Sequence, residues 1–171
     1  MKGIVIYRGR YGSTGQYADW LGKDLHIPVM EADEISVEKL DLYDYIIVGG
    51  SVYIGKLLVR DWIRKYETFL RSKAVYFFIV CATPAEEKEK IDEIIKNNLP
   101  ESLRTGDNVF LLPGRMIKKN LSKFDLFTLR MGAFLEKNKV TRKQMLLDFD
   151  SVKRSNLEPL VKAVRVGCVA Y

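Results

Sequence analysis

A glycine-rich segment near the N-terminus is the first part of the chain whose residue types could do chemistry. It reads Arg8-Gly9-Arg10-Tyr11-Gly12-Ser13-Thr14 and lies between an apolar run and a helical pattern. Glycines allow close backbone approach, and the free N–H groups at a helix start favour an anion. A phosphate monoester is therefore one ligand that this segment could hold, and a βα turn that binds nothing is the alternative. No GK[ST] follows and GxGxxG is absent, so the segment is neither a Walker loop nor a dinucleotide fingerprint.

Two further loops follow later apolar runs. The second loop spans residues 49–55 (GGSVYIG), and the third is Cys81-Ala82-Thr83-Pro84. Tyr53 could stack on a flat ligand or simply cover the end of a sheet. Cys81 has no histidine near it in sequence, which favours an inert apolar residue over a nucleophile. Loops that follow parallel strands meet at one edge of a sheet, so the three loops suit a ligand with a phosphate tail and a flat ring.

The elements that position these loops alternate between strands and helices. Four apolar runs predict strands buried on both faces, and a weaker run that contains Pro28 predicts an edge strand. The strand runs are 3–7, 45–49, 74–80 and 109–112, with the weaker one at 27–31. Helical spacing predicts helices over 14–25, 56–71 and about 150–164, and a capping box at 83–86 opens another to about Asn98. This alternation predicts an α/β fold with a parallel sheet between two layers of helices.

Residues 115–139 do not fit the alternation and carry most of the charge. Their apolar residues recur at helical spacing and predict one long amphipathic helix inserted after the fourth strong strand. With seven basic and two acidic residues, the segment holds +5 of the net charge of +6. A solvated basic face is the simplest interpretation, and a surface for anionic lipid or an acidic substrate is the alternative. Basic and aromatic residues do not interleave there, so a nucleic-acid partner is disfavoured.

Composition limits the remaining classes of protein. A chain of 171 residues predicts one domain over 1–171, here with an insertion at about 115–149. Two cysteines and one histidine disfavour a metal site and a disulfide framework, which points to the cytoplasm. No apolar run approaches the ~18 residues that a membrane span needs.

Taken in order, these motifs resemble the flavodoxin-like family, in particular the long-chain branch that includes the menaquinone-dependent protoporphyrinogen oxidases. The first loop, with Ala18, is similar to the family's phosphate loop, and the second is similar to its GG-x-I/V-Y-x-G loop. The resemblance continues through Leu112-Pro113-Gly114 and through Thr141-Arg142-Lys143 to Asp148-Phe149-Asp150. Gly9 departs from the pattern, because the family usually has a hydroxyl residue there.

The resemblance implies a flavodoxin-like three-layer sandwich that binds FMN. Its five-stranded parallel sheet would have the order 2-1-3-4-5, with the amphipathic helix inserted after strand 5. The cofactor-binding residues implied are Gly9, Arg10, Tyr11, Gly12, Ser13, Thr14, Ser51, Val52, Tyr53, Ile54, Gly55, Cys81, Ala82 and Thr83.

The same resemblance implies an oxidoreductase with a bulky reduced tetrapyrrole as donor and a quinone as acceptor. Basic residues of the insertion would meet the donor's propionates or a membrane, and these are Arg115, Lys118, Lys119 and Lys123. Peripheral contact with the inner membrane face would run through residues 115–139. Asp148 and Asp150 are candidates for acid or base only by resemblance, so catalytic residues are not assigned.

Two other functions remain open at this stage. One is a small FMN electron-transfer protein that serves a partner redox enzyme, with the insertion as its docking surface. The other, prompted by Gly9, is a flavodoxin fold that no longer binds a cofactor. The sequence leaves the oligomeric state open.

Overall fold

The computed structural model describes residues 1–83 and 87–169 of the chain. It divides into two compact units. The first unit consists of Met1–Gly114 with Val152–Tyr171, and the second is Arg115–Ser151. A single domain over 1–171 stays a prediction, and each unit is described by itself below.

The secondary structure alternates between strands and helices along most of the first unit. Its strands are β1 (Gly3–Arg8), β2 (Val29–Glu31), β3 (Tyr45–Tyr53), β4 (Lys56–Leu57), β5 (Ala74–Cys81) and β6 (Val109–Pro113), and the second unit adds β7 (Arg115–Met116) and β8 (Phe149–Asp150). The helices are α1 (Ser13–Leu25), α2 (Val37–Leu40), α3 (Arg60–Lys65), α4 (Glu67–Leu70), α5 (Lys88–Asn98), α6 (Lys123–Leu135), α7 (Lys139–Met145) and α8 (Glu158–Val169), of which α6 and α7 belong to the second unit. Single 3₁₀ turns lie at Glu101–Leu103, Lys118–Asn120 and Arg154–Leu157.

The sheet of the first unit has five parallel strands in the order β2-β1-β3-β5-β6. The short β4 pairs with β3 in the antiparallel sense and does not extend this path. Without β4 the order is 2-1-3-4-5, so the predicted topology is confirmed. The loops after β1, β3 and β5 therefore follow three adjacent strands at one edge of the sheet.

Helices cover both faces of this sheet, as a parallel sheet requires. Alternate residues of β1 illustrate the two layers: Ile4 and Ile6 pack into one buried cluster, and Val5 packs into the other. The first cluster includes Trp62, Ile63 and Leu70 of α3 and α4, and the second includes Tyr17, Ala18, Leu21, Leu160 and Val164 of α1 and α8. The predicted three-layer sandwich is confirmed.

Two predicted helices of the first unit have different bounds in the structure. The predicted helix over 56–71 is wrong at its start, where Lys56 and Leu57 form β4 and pair with the end of β3. The rest forms two short helices, α3 and α4, on either side of Tyr66. The periodicity that suggested one helix reflects burial, because Trp62 and Leu70 do pack in the core.

The helix predicted from about 150 begins later, at Glu158. Phe149 and Asp150 are in β8, and a 3₁₀ turn over Arg154–Leu157 precedes α8. The capping box at 83–86 falls largely outside the described residues, since 84–86 are not described. The helix that it was predicted to open is described from Lys88 to Asn98.

The second unit is an antiparallel strand pair with two helices. The prediction of one helix over 115–139 is wrong because Arg115 pairs with Asp150, and Met116 with Phe149, in β7 and β8. Helix α6 starts only at Lys123, where the Ser122 hydroxyl accepts a 3.1 Å hydrogen bond from the Asp125 N–H. The Arg142 guanidinium donates to the carbonyls of Phe134 and Glu136, which stabilises the C-terminal end of α6.

Candidate functional site

The first loop joins β1 to α1 through a left-handed glycine. Gly12 has φ 84°, a conformation that glycine adopts without strain, and it is the N-cap of α1. The side chains of Ser13 and Thr14, the first two residues of the helix, are both buried. The first-turn N–H groups of a helix have no partner within it, so this end of α1 can receive an anion.

Thr14 carries a buried hydroxyl that lacks a partner in the described part of the chain. The residue is 1% exposed, and its Oγ1 makes no hydrogen bond there. Leaving a buried polar group unpaired costs about 1–3 kcal/mol, so such a group is rare unless a ligand satisfies it. A phosphate oxygen at the start of α1 would accept this hydrogen bond, and the residues present therefore fit the phosphate of FMN.

Gly9 leaves room for this threonine. A Cβ atom on Gly9 would stand 2.7 Å from the Cβ and 2.9 Å from the Oγ1 of Thr14. The absence of a hydroxyl residue at position 9 thus has a steric reason, because Thr14 already occupies that space.

Arg10 links the first loop to the end of β3. Its guanidinium carbon lies 4.4 Å from the ring centroid of Tyr53 and 5.7 Å from that of Tyr11. Both distances are within the range of a cation–π interaction. Arg8, in contrast, forms an ion pair with Asp33. Three of the predicted cofactor-binding residues, from two different loops, are therefore in contact.

The second loop is shorter than predicted, because β3 continues to Tyr53. Gly49 and Gly50 are strand residues, where a Cβ on Gly49 would overlap the Phe78 ring and one on Gly50 would lie 2.8 Å from Val59 Cγ1. Close packing explains these glycines. The actual turn is at Ile54 and Gly55, with φ 47° and 72°. A β-branched residue with positive φ is strained, and such strain is concentrated at functional sites.

Asn98 holds this turn, and sequence reasoning missed it. Its side-chain amide donates to the carbonyls of Gly55 (2.9 Å) and Ile94 (2.8 Å), and its oxygen accepts from the Leu57 N–H (2.8 Å). Asn98 is 1% exposed although it is a polar residue at the end of α5. The sequence signal was weak, because asparagine is common just where helices end.

The third loop begins at Cys81, at the end of β5. Cys81 is buried, and burial raises the pKa of its thiol. Its Sγ lies 3.9 Å from the carbonyl oxygen of Thr83. A thiol in this state is a poor nucleophile, as the sequence predicts for Cys81. Ser51, Val52, Ala82 and Thr83 are exposed or partly exposed at the ends of β3 and β5.

In the second unit, two of the four predicted basic residues have acidic partners. Arg115 Nε is 2.7 Å from Asp150 Oδ2, and Lys118 Nζ is 3.9 Å from Asp148 Oδ1. The Asp148 carboxylate also accepts a 3.0 Å hydrogen bond from the Lys118 N–H. These two aspartates thus stabilise the β7–β8 region. Lys119 and Lys123 are exposed.

The described part of the chain contains neither a metal-binding cluster nor a membrane-spanning helix. Over 1–83 and 87–169, no group of three or more His, Cys, Asp or Glu could hold a metal ion. No helix within those ranges is long and apolar enough to cross a membrane.

Comparison with known proteins gives low but consistent similarity. The curated protoporphyrinogen IX dehydrogenase (quinone) of Escherichia coli K12 is 21% identical over 141 residues, which cover 77% of this chain and 78% of that protein. Flavodoxin 2 of Bacillus cereus is 21% identical, with a TM-score of 0.48 over 66% of this chain and 84% of that one. An archaeal flavodoxin is 20% identical, with a TM-score of 0.47 over 70% and 88% of the two chains.

A family model described as a flavodoxin domain matches residues 4–143, which is most of the chain. This range contains β1 from its second residue onward, β2 to β6, and all three loops at the carboxyl edge of the sheet. The chain therefore belongs to the flavodoxin-domain family, and its cofactor is FMN.

Proposed function

We propose that this protein is an FMN-dependent oxidoreductase that oxidises protoporphyrinogen and passes the electrons to a quinone. The buried, unpaired hydroxyl of Thr14 at the start of α1 is the observation that carries the FMN part of the proposal. The donor and acceptor are suggested by the name of the Escherichia coli relative, which matches over 77% of this chain.

The residues of the first unit divide the binding of FMN between them. Gly12, Ser13 and Thr14 hold the phosphate, through the N–H groups of α1 and the Thr14 hydroxyl. Tyr53, under Arg10, offers an aromatic surface for the flat ring. When bound, FMN supplies the redox chemistry, accepting electrons from a donor and releasing them to an acceptor. The protein's own part is to bind and orient the reactants.

The other residues that we propose to line the flavin ring come from the second and third loops. They are Ser51, Val52, Ile54, Gly55, Ala82 and Thr83. Their support is position, since they lie at or just after the carboxyl ends of β3, which neighbours β1 in the sheet, and of β5, which neighbours β3. Each dehydrogenation of the donor releases two electrons and two protons, which convert one quinone to its quinol. We assign acid or base catalysis to none of the described side chains at this edge of the sheet.

The test is an anaerobic assay with the FMN-loaded protein, protoporphyrinogen and a water-soluble menaquinone analogue. We expect porphyrin fluorescence to rise only when both protein and quinone are present. Thr14→Val, which keeps the shape of the side chain and removes the hydroxyl, should lower the rate at limiting FMN. A rate no higher than that of autoxidation without protein would overturn the proposed activity.

A small FMN electron-transfer protein is the second candidate. It is favoured by the ion pairs of Asp148 with Lys118 and of Asp150 with Arg115. These pairs give a structural role to the two carboxylates that the resemblance suggests as acid or base. Its partner would be a redox enzyme rather than a porphyrinogen. Transfer of electrons from the reduced protein to such an enzyme, without turnover of protoporphyrinogen, would establish this alternative.

We also propose a cytoplasmic location with contact at the inner membrane face, because quinones are dissolved in the bilayer. Cell fractionation at low and high salt tests this: a peripheral protein is expected in the membrane fraction at low salt and in the soluble fraction at high salt. Recovery in the soluble fraction under both conditions would refute the membrane contact.

A further inference from the structure

Helix α6 of the second unit presents a row of large apolar side chains to solvent. We propose that this row binds the surface of an anionic membrane. Its members, called the α6 stripe below, are Phe124 (66% exposed), Phe127 (62%), Met131 (43%), Phe134 (71%) and Leu135 (71%). This inference rests on the proposed contact with the inner membrane face and names the residues that make this contact, whichever substrate the protein oxidises.

The stripe is a single face of the helix. The successive spacings of three, four, three and one residues place all five side chains within an arc of about 100°. The opposite side of the helix is buried, with Asp125 at 6% and Ala133 at 2% exposure. One face of the helix is thus buried, and the opposite, apolar face remains in water. Exposed apolar patches of this kind mark interaction surfaces.

Positive charge lies beside the stripe and elsewhere on the same unit. Lys123 and Arg130 lie beside it on the helix, and other exposed lysines of the unit are Lys119, Lys137, Lys139 and Lys143. Over residues 115–151 there are nine basic and four acidic residues, which leaves +5 of the chain's +6 in this unit. Asp125 is buried, and Asp148 and Asp150 pair with Lys118 and Arg115.

This combination selects a lipid surface over a second copy of the chain. Two copies meeting through the stripe would bring their lysines together, and like charges repel. An anionic lipid surface offers acyl chains to the aromatic residues and headgroup phosphates to the lysines at once. The structure also changes which residues are the best candidates for the lipid-binding surface. Arg115 and Lys118 have partners within the unit, whereas the α6 stripe is exposed.

The test is sedimentation of the full chain, loaded with FMN, with vesicles of phosphatidylglycerol and phosphatidylcholine. We expect binding that weakens with salt and is much weaker on vesicles of phosphatidylcholine alone. Phe127→Ser and Phe134→Ser should each reduce binding about tenfold, since each removes one inserting aromatic ring. Lys123→Gln should reduce it by a smaller factor.

Matched controls are available in the first unit. Leu42 is 69% exposed, and Lys162 is exposed on α8, so Leu42→Ser and Lys162→Gln should leave vesicle binding unchanged. Because the stripe side chains are in solvent, FMN content and thermal unfolding of the Phe127 and Phe134 variants should match those of the unaltered protein.

Several outcomes would overturn the proposal. These are no vesicle binding, binding unaffected by the phenylalanine variants, or a dimer in light scattering that the variants dissociate without any vesicle binding. Vesicle binding that requires only the lysines would also overturn it, because the stripe would then have no part. Failure here is distinct from failure of the proposed activity, which is assayed with a soluble quinone and no membrane.

Discussion

At the scale of the residue, Thr14 and Gly9 together shape the start of α1. Thr14 brings a hydroxyl to the start of α1, and Gly9 leaves the space that this side chain fills. The sequence alone suggested that Gly9 loses a hydrogen bond to phosphate. The structure instead indicates that a side chain at position 9 would compete with Thr14.

Gly9→Ser tests this interpretation, since it restores the family's usual hydroxyl. We expect FMN binding to weaken by between about tenfold and a hundredfold, because the new Cβ must displace Thr14, whose hydrogen bond to a charged group is worth about 1.5–3 kcal/mol. Fluorescence titration of the apoprotein with FMN measures the change. Tighter binding of FMN by the serine variant would show that the loop lacks a hydroxyl after all.

At the scale of elements, α5 positions a turn that belongs to the sheet. Asn98 connects the last turn of α5 to the backbone of Gly55 and Leu57. The positive φ of Ile54 requires such support, because a strained turn persists only where its surroundings hold it.

Asn98→Ala should lower the free energy of unfolding by about 1–3 kcal/mol, since it leaves the buried Leu57 N–H without its partner. It should also weaken FMN binding through the loosened turn. Urea unfolding and FMN titration measure the two effects. Asn97→Ala is the control, because Asn97 is the exposed neighbour on the same helix. Equal effects of the two substitutions would show that the Asn98 side chain does not hold the turn.

The same scale shows what sequence reasoning could reach. The strand runs were identified because residues buried on both faces form unbroken apolar segments, as in β5, and this fixed the sheet and its three loops. The helix predicted over 115–139 was wrong because the pairing of Arg115 with Asp150 joins residues far apart in sequence. Local periodicity carries no information on such pairing. Asn98 was missed for the same reason, as its partners lie on another element.

At the scale of the molecule, contacts join α1 of the first unit to the 3₁₀ turn that precedes α8. Arg154, in the turn before α8, forms an ion pair with Asp24 at the end of α1. Tyr17 adds a second link, because its buried hydroxyl accepts from Asn156 (2.7 Å) and donates to the Pro113 carbonyl (2.9 Å).

The ion pair predicts a pH dependence. The hydrogen bond from Arg154 lowers the pKa of Asp24. The contribution of this ion pair to the stability of the fold is therefore present above the ordinary aspartate pKa. It is lost as the pH falls through the lowered pKa of Asp24. Asp24→Asn should lower the melting temperature at neutral pH and have little effect in strong acid. Asp19→Asn, at an exposed position on α1, is the control. An equal loss for Asp24→Asn at both pH values would contradict this account.

The central claim is that the phosphate of FMN binds at the start of α1, on the Thr14 hydroxyl. Titration of the apoprotein with FMN and with riboflavin, which lacks the phosphate, tests it most directly. We predict one FMN bound per chain, much weaker binding of riboflavin, and a Thr14→Val variant in which that difference is at least about tenfold smaller, since one hydrogen bond to a charged group is worth about 1.5–3 kcal/mol. Riboflavin binding as tightly as FMN, or a Thr14→Val variant that discriminates as well as the unaltered protein, would contradict the claim.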